Sequence, residues 1–126
     1  MSDEKLSTNF NLSEFQCKDG SVMPSAVRIN IKRLVASILQ PLRDAVGKPI
    51  TIMSGYRSPA YNRKIGGARH SQHMLGTAAD IKIKGMTPKQ VADKIELLFA
   101  PGGLGRYPSF THVDIRQGRK ARWGNK

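Results

Sequence analysis

Ser71-Gln-His-Met-Leu-Gly-Thr-Ala-Ala-Asp-Ile-Lys-Ile83 is the stretch on which the fold turns. Its second half alternates. In an extended chain Ala79, Ile81 and Ile83 fall on one side, and Ala78, Asp80 and Lys82 on the other. This period of two, with the isoleucines on one face only, predicts a strand over 77–83 that covers a core with that face. Aspartate is depleted in strands. A carboxylate amid Ala and Ile, turned away from the isoleucines, therefore asks for a chemical reason.

Two further segments read as strands. Phe110-Thr-His-Val-Asp-Ile-Arg116 repeats the alternation, with Val113 and Ile115 on one face and His112 and Asp114 on the other. Residues two apart in a strand lie about 6–7 Å apart along the chain, so His112 and Asp114 are neighbours on a polar face. Pro49-Ile-Thr-Ile-Met-Ser54 is short, β-rich and bounded by turn residues.

Helices are predicted between them. Over 26–46, Val27, Ile31, Leu34, Val35, Ile38, Leu42 and Val46 recur at three- and four-residue steps. Pro41 is expected to kink this helix or end its first part, and Gly47 to stop it. The turn Gly55-Tyr-Arg-Ser-Pro59 leads into a short helix over 59–65, and Gly66-Gly67 opens a loop through His70. Thr87-Pro88 starts a helix that runs to about Phe99. Pro101-Gly-Gly-Leu-Gly105 reads as a flexible link, and 110–116 as the last strand. Helix and strand alternate throughout, and the strands are short. The expected class is α+β, with helices packed on a small, mainly antiparallel sheet.

The 126 residues fit one monomeric domain with a modest core. Residues 1–8 are polar and expected to fray. Phe10, Leu12, Phe15 and Val22 can lay an N-terminal arm on the core, with Cys17 a small residue partly buried near Phe15. One cysteine excludes an internal disulfide and a cysteine-based zinc cluster. No stretch approaches the ~20 apolar residues of a membrane span, and Met1-Ser-Asp-Glu-Lys5 is not the start of a secretory signal. Synthesis in the cytoplasm is expected, with release to any outer site by another agent. The net charge of +12 suits polyanions such as teichoic acids, lipopolysaccharide, acidic peptidoglycan or nucleic acid. Part of it sits in 117–126, read as a basic tail carrying Trp123. No nucleic-acid fold motif accompanies the charge, so specific nucleic-acid recognition is not expected.

His73, Asp80, His112 and Asp114 supply two imidazoles and two carboxylates, all donors suited to zinc. Three protein ligands leave a fourth position for water, and zinc lowers the pKa of that water towards ~7. That is the arrangement of a metal-dependent hydrolase. An unrelated buried hydrogen-bond network satisfies the same spacing, and on the residues alone both readings stand.

The pattern Ser-x-His-x-x-Gly-x-Ala-x-Asp over Ser71–Asp80, with a histidine in a short strand downstream, resembles the zinc D-Ala-D-Ala carboxypeptidase family. That family includes D-Ala-D-Ala carboxypeptidases and dipeptidases and phage L-alanyl-D-glutamate endopeptidases. Ser54-Gly-Tyr-Arg-Ser58 is similar to its upstream arginine motif. Gly103–Asp114 resembles its carboxypeptidase branch, which ends in His-Val-Asp. The likeness covers about 9–123. It implies the hedgehog/DD-peptidase-like α+β fold and one zinc ion, with His73, Asp80 and His112 as ligands. It implies that Arg57 contacts substrate and steadies an oxyanion, a task suited to a guanidinium that is always charged and forks onto oxygen pairs. It places Ser71 near substrate, and it makes the substrate a stem peptide of peptidoglycan.

Several family members carry a carboxylate three residues before the last zinc histidine, where this chain has Ser109. Of the nine acids, most fall in the N-terminal arm or on helices, and Asp80 is matched to the metal. Asp114 remains, expected either as the general base or as the partner that orients a ligand histidine. His70 is a further candidate for base or substrate contact, beside its reading as a solvated loop residue. A small basic chain of this kind suits a phage endolysin acting on an anionic wall. Two other functions are open to it: a non-catalytic zinc-binding module on the same fold, as in hedgehog signalling domains, and a basic nucleic-acid binder without metal.

Overall fold

Five strands form one sheet in the order β3-β4-β6-β5-β7. In the computed structural model, which describes residues 3–124, they are β3 (Ile50–Ser54), β4 (Ala78–Ile83), β5 (Gly103–Arg106), β6 (Thr111–Asp114) and β7 (Ala121–Gly124). All neighbours are antiparallel except β5 and β7. A two-stranded ribbon, β1 (Lys5–Ser7) with β2 (Phe10–Asn11), stands apart from this sheet. The class is the expected α+β, with a mainly antiparallel sheet.

The long apolar pattern is helical from Ser25 to Val46, as α1 (Ser25–Leu34), a π-turn segment (Val35–Leu39) and α2 (Gln40–Val46). The irregularity falls just ahead of Pro41. A proline in a helix interior removes one N–H and crowds the carbonyl four residues before it. The wider turn relieves that crowding, and the Gln40 N–H reaches Val35 O instead. Gly47 stops α2 in the left-handed region at φ 64°. Pro59 opens α3 (Pro59–Lys64), and Ser58 caps it by accepting the Tyr61 N–H. Thr87 and Gln90 form a reciprocal capping box at the start of α4 (Pro88–Phe99).

One core joins these elements. Ala79, Ile81 and Ile83 of β4, Leu104 of β5 and Val113 of β6 bury one side of the sheet. Against them pack Val27, Ile31, Leu34, Val35, Ile38, Leu39 and Leu42, and also Val91, Ala92 and Ile95 of α4. Phe10, Phe15 and Cys17 join the same cluster. The N-terminal arm thus lies on the core as expected, with one exception: Val22 is 88% exposed. Among the described residues no helix is long and apolar enough to cross a membrane.

Three expectations change. Part of the polar start is paired: Lys5–Ser7 forms β1, and Glu4 bridges Arg28 at 2.7 Å and Lys32 at 2.8 Å. The glycine-rich Pro101–Gly105 is no flexible link, because Gly103–Arg106 is an inner strand with Gly103, Leu104 and Gly105 buried. The C-terminal basic segment is not all tail, because Ala121–Gly124 pairs with β5 as the parallel edge strand β7. Residues 1–2 and 125–126 of the expected flexible ends lie outside the described residues.

Glycine has a positional reason in β5. A side chain at Gly103 would collide with the Asp114 carboxylate, and one at Gly105 with the Trp123 indole. These glycines permit close approach across the sheet and do not supply slack. The result is one row of cross-strand partners, Ser54–Asp80–His112–Gly105–Trp123, running across all five strands.

Candidate metal centre

Asp80 and His112 are direct partners in the β4–β6 pairing, so their side chains share the face opposite the core. His73 comes from outside the sheet. It sits in a 3₁₀ turn, Gln72–Leu75, capped by Ser71 Oγ, which accepts the His73 N–H at 3.2 Å. Gly76 ends that turn at φ 80°. The short turn delivers the imidazole to the strand pair.

Three donors meet at one point. His73 Nε2 lies 3.1 Å from Asp80 Oδ1, and His112 Nδ1 lies 3.0 Å from the same oxygen. One ligand atom from each residue lies within 4.8 Å of the others, and all three residues are buried. Such separations fit a tetrahedral ion with bonds of about 2.0–2.2 Å to nitrogen and oxygen.

The outer nitrogens fix the inner ones. His73 Nδ1 lies 2.7 Å from Gly55 O, a pure acceptor, so Nδ1 carries the proton and Nε2 presents its lone pair. His112 Nε2 lies 2.7 Å from Asp114 Oδ2, so Nε2 donates and Nδ1 faces inward. The inner Nε2 of His73 and Nδ1 of His112 are thus the atoms free to ligate a metal at the carboxylate corner, as in metal-ligating histidines. Burial pushes the Asp80 carboxyl up, but the adjoining His112 and His73 rings, where they carry a proton towards it, outweigh this and hold the group well below the usual carboxylate range. Burial also opposes charging His112, yet Asp114 and Asp80 raise its pKa.

Asp114 sits behind His112, with no side-chain exposure. It is saturated. Oδ2 accepts from His112 and from Arg116 Nη2 at 2.7 Å, and Oδ1 accepts the Arg116 N–H at 3.1 Å and Nε at 2.9 Å. Burial raises its pKa, but Arg116 and His112 more than reverse this.

Arg57 lies beside the three donors. Its Nη2 meets Asp80 Oδ2 at 3.3 Å, Nε meets Ser54 Oγ at 3.2 Å, and Nη1 meets Asn62 Oδ1 at 3.4 Å. The Arg57 N–H also donates to His73 O at 3.1 Å, which ties the arginine turn to the histidine turn.

The donors open into a cavity of about 380 Å³. Arg57, which bonds Ser54 of β3, lines it with His70 and Ser71, and Tyr107, Arg116 and Trp123 line it on the side of β7. All the sequence-derived candidates line this cavity except Asp114. Ser109 is elsewhere, in a groove with Pro88 and Val91.

Sequence reasoning missed the aromatic wall. Trp123 packs 5.0 Å from the His112 ring, centroid to centroid, and its Nε1 donates to Tyr107 Oη at 2.8 Å. Tyr107 stacks on Phe110 at 4.4 Å. The Arg116 guanidinium lies over the Trp123 ring at 5.2 Å. A tryptophan in a short alternating stretch, Ala-Arg-Trp-Gly, was the available signal, but the surrounding charge makes it read as tail.

Comparison with known proteins agrees with this geometry. The chain is 38% identical over 85 residues to the zinc D-Ala-D-Ala carboxypeptidase of Streptomyces albus G, an alignment that covers 63% of this chain and 33% of that protein. The chain thus matches about a third of the length of this curated relative. The family model described as peptidase M15 matches residues 8–114, from the N-terminal arm through the Asp114 that backs His112. By that match the chain belongs to the peptidase M15 family.

Proposed function

We propose that this protein is a zinc-dependent peptidase that hydrolyses an amide bond in the stem peptide of peptidoglycan. The observation that carries this reading is the convergence of His73 Nε2, His112 Nδ1 and an Asp80 oxygen within 4.8 Å, each histidine oriented from behind. The donor set of two imidazoles and one carboxylate is a zinc set that leaves one position open. One ion per chain is expected, held by His73, Asp80 and His112.

Bound there, zinc supplies Lewis acidity and the activation of water. Arg57 donates to the substrate carbonyl oxygen as negative charge develops on it, and its bonds to Ser54, Asn62 and Asp80 hold it ready. Of the two roles open to Asp114, its burial and four bonds support orienting His112 and not taking a proton from water. His70 lines the cavity and is our candidate for the proton acceptor. Ser71 fixes the His73 turn and offers a hydroxyl at the cavity wall.

The relative from Streptomyces albus G is named for action on D-Ala-D-Ala, which supports a stem-peptide substrate. The charge of +12 supports attraction to anionic wall or outer-membrane polymers, as a phage endolysin would use. The absence of a carboxylate at Ser109 leaves one alternative, a zinc-binding wall module without turnover. Purified protein supplied with zinc should release D-alanine or shorter peptides from muropeptides, detected by mass spectrometry. EDTA and His73→Ala should each abolish release, because the metal generates the nucleophile. Activity surviving both would refute the reading, and a zinc-loaded protein with no turnover would favour the binding module.

A further inference from the structure

We propose that Arg116 forms an anion subsite on the β7 side of the cavity, which receives a carboxylate of the substrate peptide. This rests on the peptidase reading above and makes the substrate class more specific.

Three observations carry it. The first is pre-organisation. Arg116 forks onto the fully buried Asp114 through Nε and Nη2, and its guanidinium lies over Trp123 at 5.2 Å. Trp123 is itself held by Tyr107. The side chain of Arg116 is nonetheless 27% exposed and lines the cavity. Its Nη1 makes no hydrogen bond among the described residues. By contrast Arg57 already uses Nε, Nη1 and Nη2 within the protein. Arg116 therefore keeps the freer donor edge.

The second is charge. Arg57 and Arg116 are the two guanidinium groups on the cavity wall, and Asp80 is the one carboxylate there among the described residues. Asp80 is engaged with His73, His112 and Arg57. Asp114 in turn pairs with Arg116 from behind, so neither carboxylate is left to repel an anion, and the free edge of a fixed guanidinium suits a carboxylate in particular.

The third is placement. Arg57 follows β3 and Arg116 follows β6, with the Asp80–His112 pair between them in the cross-strand row. A peptide whose carbonyl faces Arg57 extends its other flank towards Arg116, Tyr107 and Trp123. The aromatic surfaces there give the peptide apolar contact beside the charge.

The carboxylate has two sources, the free C-terminus of the stem or an internal carboxyl such as that of its glutamate. Calorimetry on the zinc-loaded full chain separates them, using a stem pentapeptide, its C-terminal amide and its internal amide. One amide should bind about tenfold or more weakly than the parent, the scale of a hydrogen bond to a charged group. In Arg116→Gln that difference should disappear while zinc content stays at one per chain. Loss of the terminal carboxylate effect identifies the C-terminus as the group held at Arg116, and loss of the internal one identifies the internal carboxyl. Arg116→Lys, which keeps the charge but not the fork, is the second variant: it should keep a reduced preference. The proposal is overturned if the wild type binds all three peptides alike. It is equally overturned if a zinc-holding Arg116→Gln keeps the full difference, or if Arg116→Lys keeps it where the glutamine variant loses zinc. A carboxylate preference in binding with no cleavage of any peptide would count against the peptidase reading and leave this subsite standing.

Discussion

Asp114 acts from a place that water does not reach. It holds His112 Nε2 at 2.7 Å and is itself held by Arg116, so the imidazole can turn only its Nδ1 to the donor corner. Partners behind a ligand histidine are commonly worth 10–100-fold in metal affinity. Asp114→Asn should therefore weaken zinc binding by roughly that factor, as measured by competition with a chromogenic chelator. Wild-type affinity in this variant would remove Asp114 from the orienting role. Residue identities here were legible in the sequence: His73, Asp80, His112 and Asp114 stand out by type and spacing, and Arg57 through the family resemblance. The division of labour between the two carboxylates was not. Alternation put His112 and Asp114 on one face, but only the hydrogen bonds show that Asp114 faces the back of the ring.

Among the elements, β5 and β7 changed most between expectation and structure. Gly103-Leu-Gly105 reads as slack because glycine is depleted in strands. Its neighbours explain it: Asp114 fills the space above Gly103, and Trp123 the space above Gly105. Sequence patterns report local preference, whereas this requirement is set by side chains from β6 and β7. Gly103→Ala should accordingly cost about 1–3 kcal/mol, the usual range for forcing extra atoms into a packed site. Thermal melts would register this as a lower midpoint, with zinc affinity falling as Asp114 shifts. A melt unchanged from wild type would mean that the strand can move aside. The 26–46 pattern, by contrast, was legible over its whole length, because seven apolar positions at helical spacing outweigh one proline. The π-turn that accommodates Pro41 leaves no mark in that periodicity.

For the molecule as a whole, the donor corner joins parts that are distant in sequence: a turn at His73, an inner strand at Asp80 and another at His112. An ion bound there links the 3₁₀ turn to the sheet, and it binds the folded chain better than the unfolded one. Zinc at 100 times its Kd should then add ~2.7 kcal/mol of stability. Differential scanning calorimetry should show a melting midpoint that rises with zinc concentration in the wild type. The rise should vanish in His112→Ala. A zinc-independent midpoint in the wild type would contradict a site formed only on folding.

The sequence by itself indicated the class of fold, the core and the candidate donor residues, the last divided into roles only through the family resemblance. Those depend on hydrophobic period and residue chemistry, which are local and survive without knowledge of partners. Tertiary structure alone decided that Asp114 stands behind His112, that the glycines of β5 are points of close approach, and that Trp123 and Arg116 wall the cavity. Each of these depends on the register of one strand against another. Register is fixed by packing across the whole sheet.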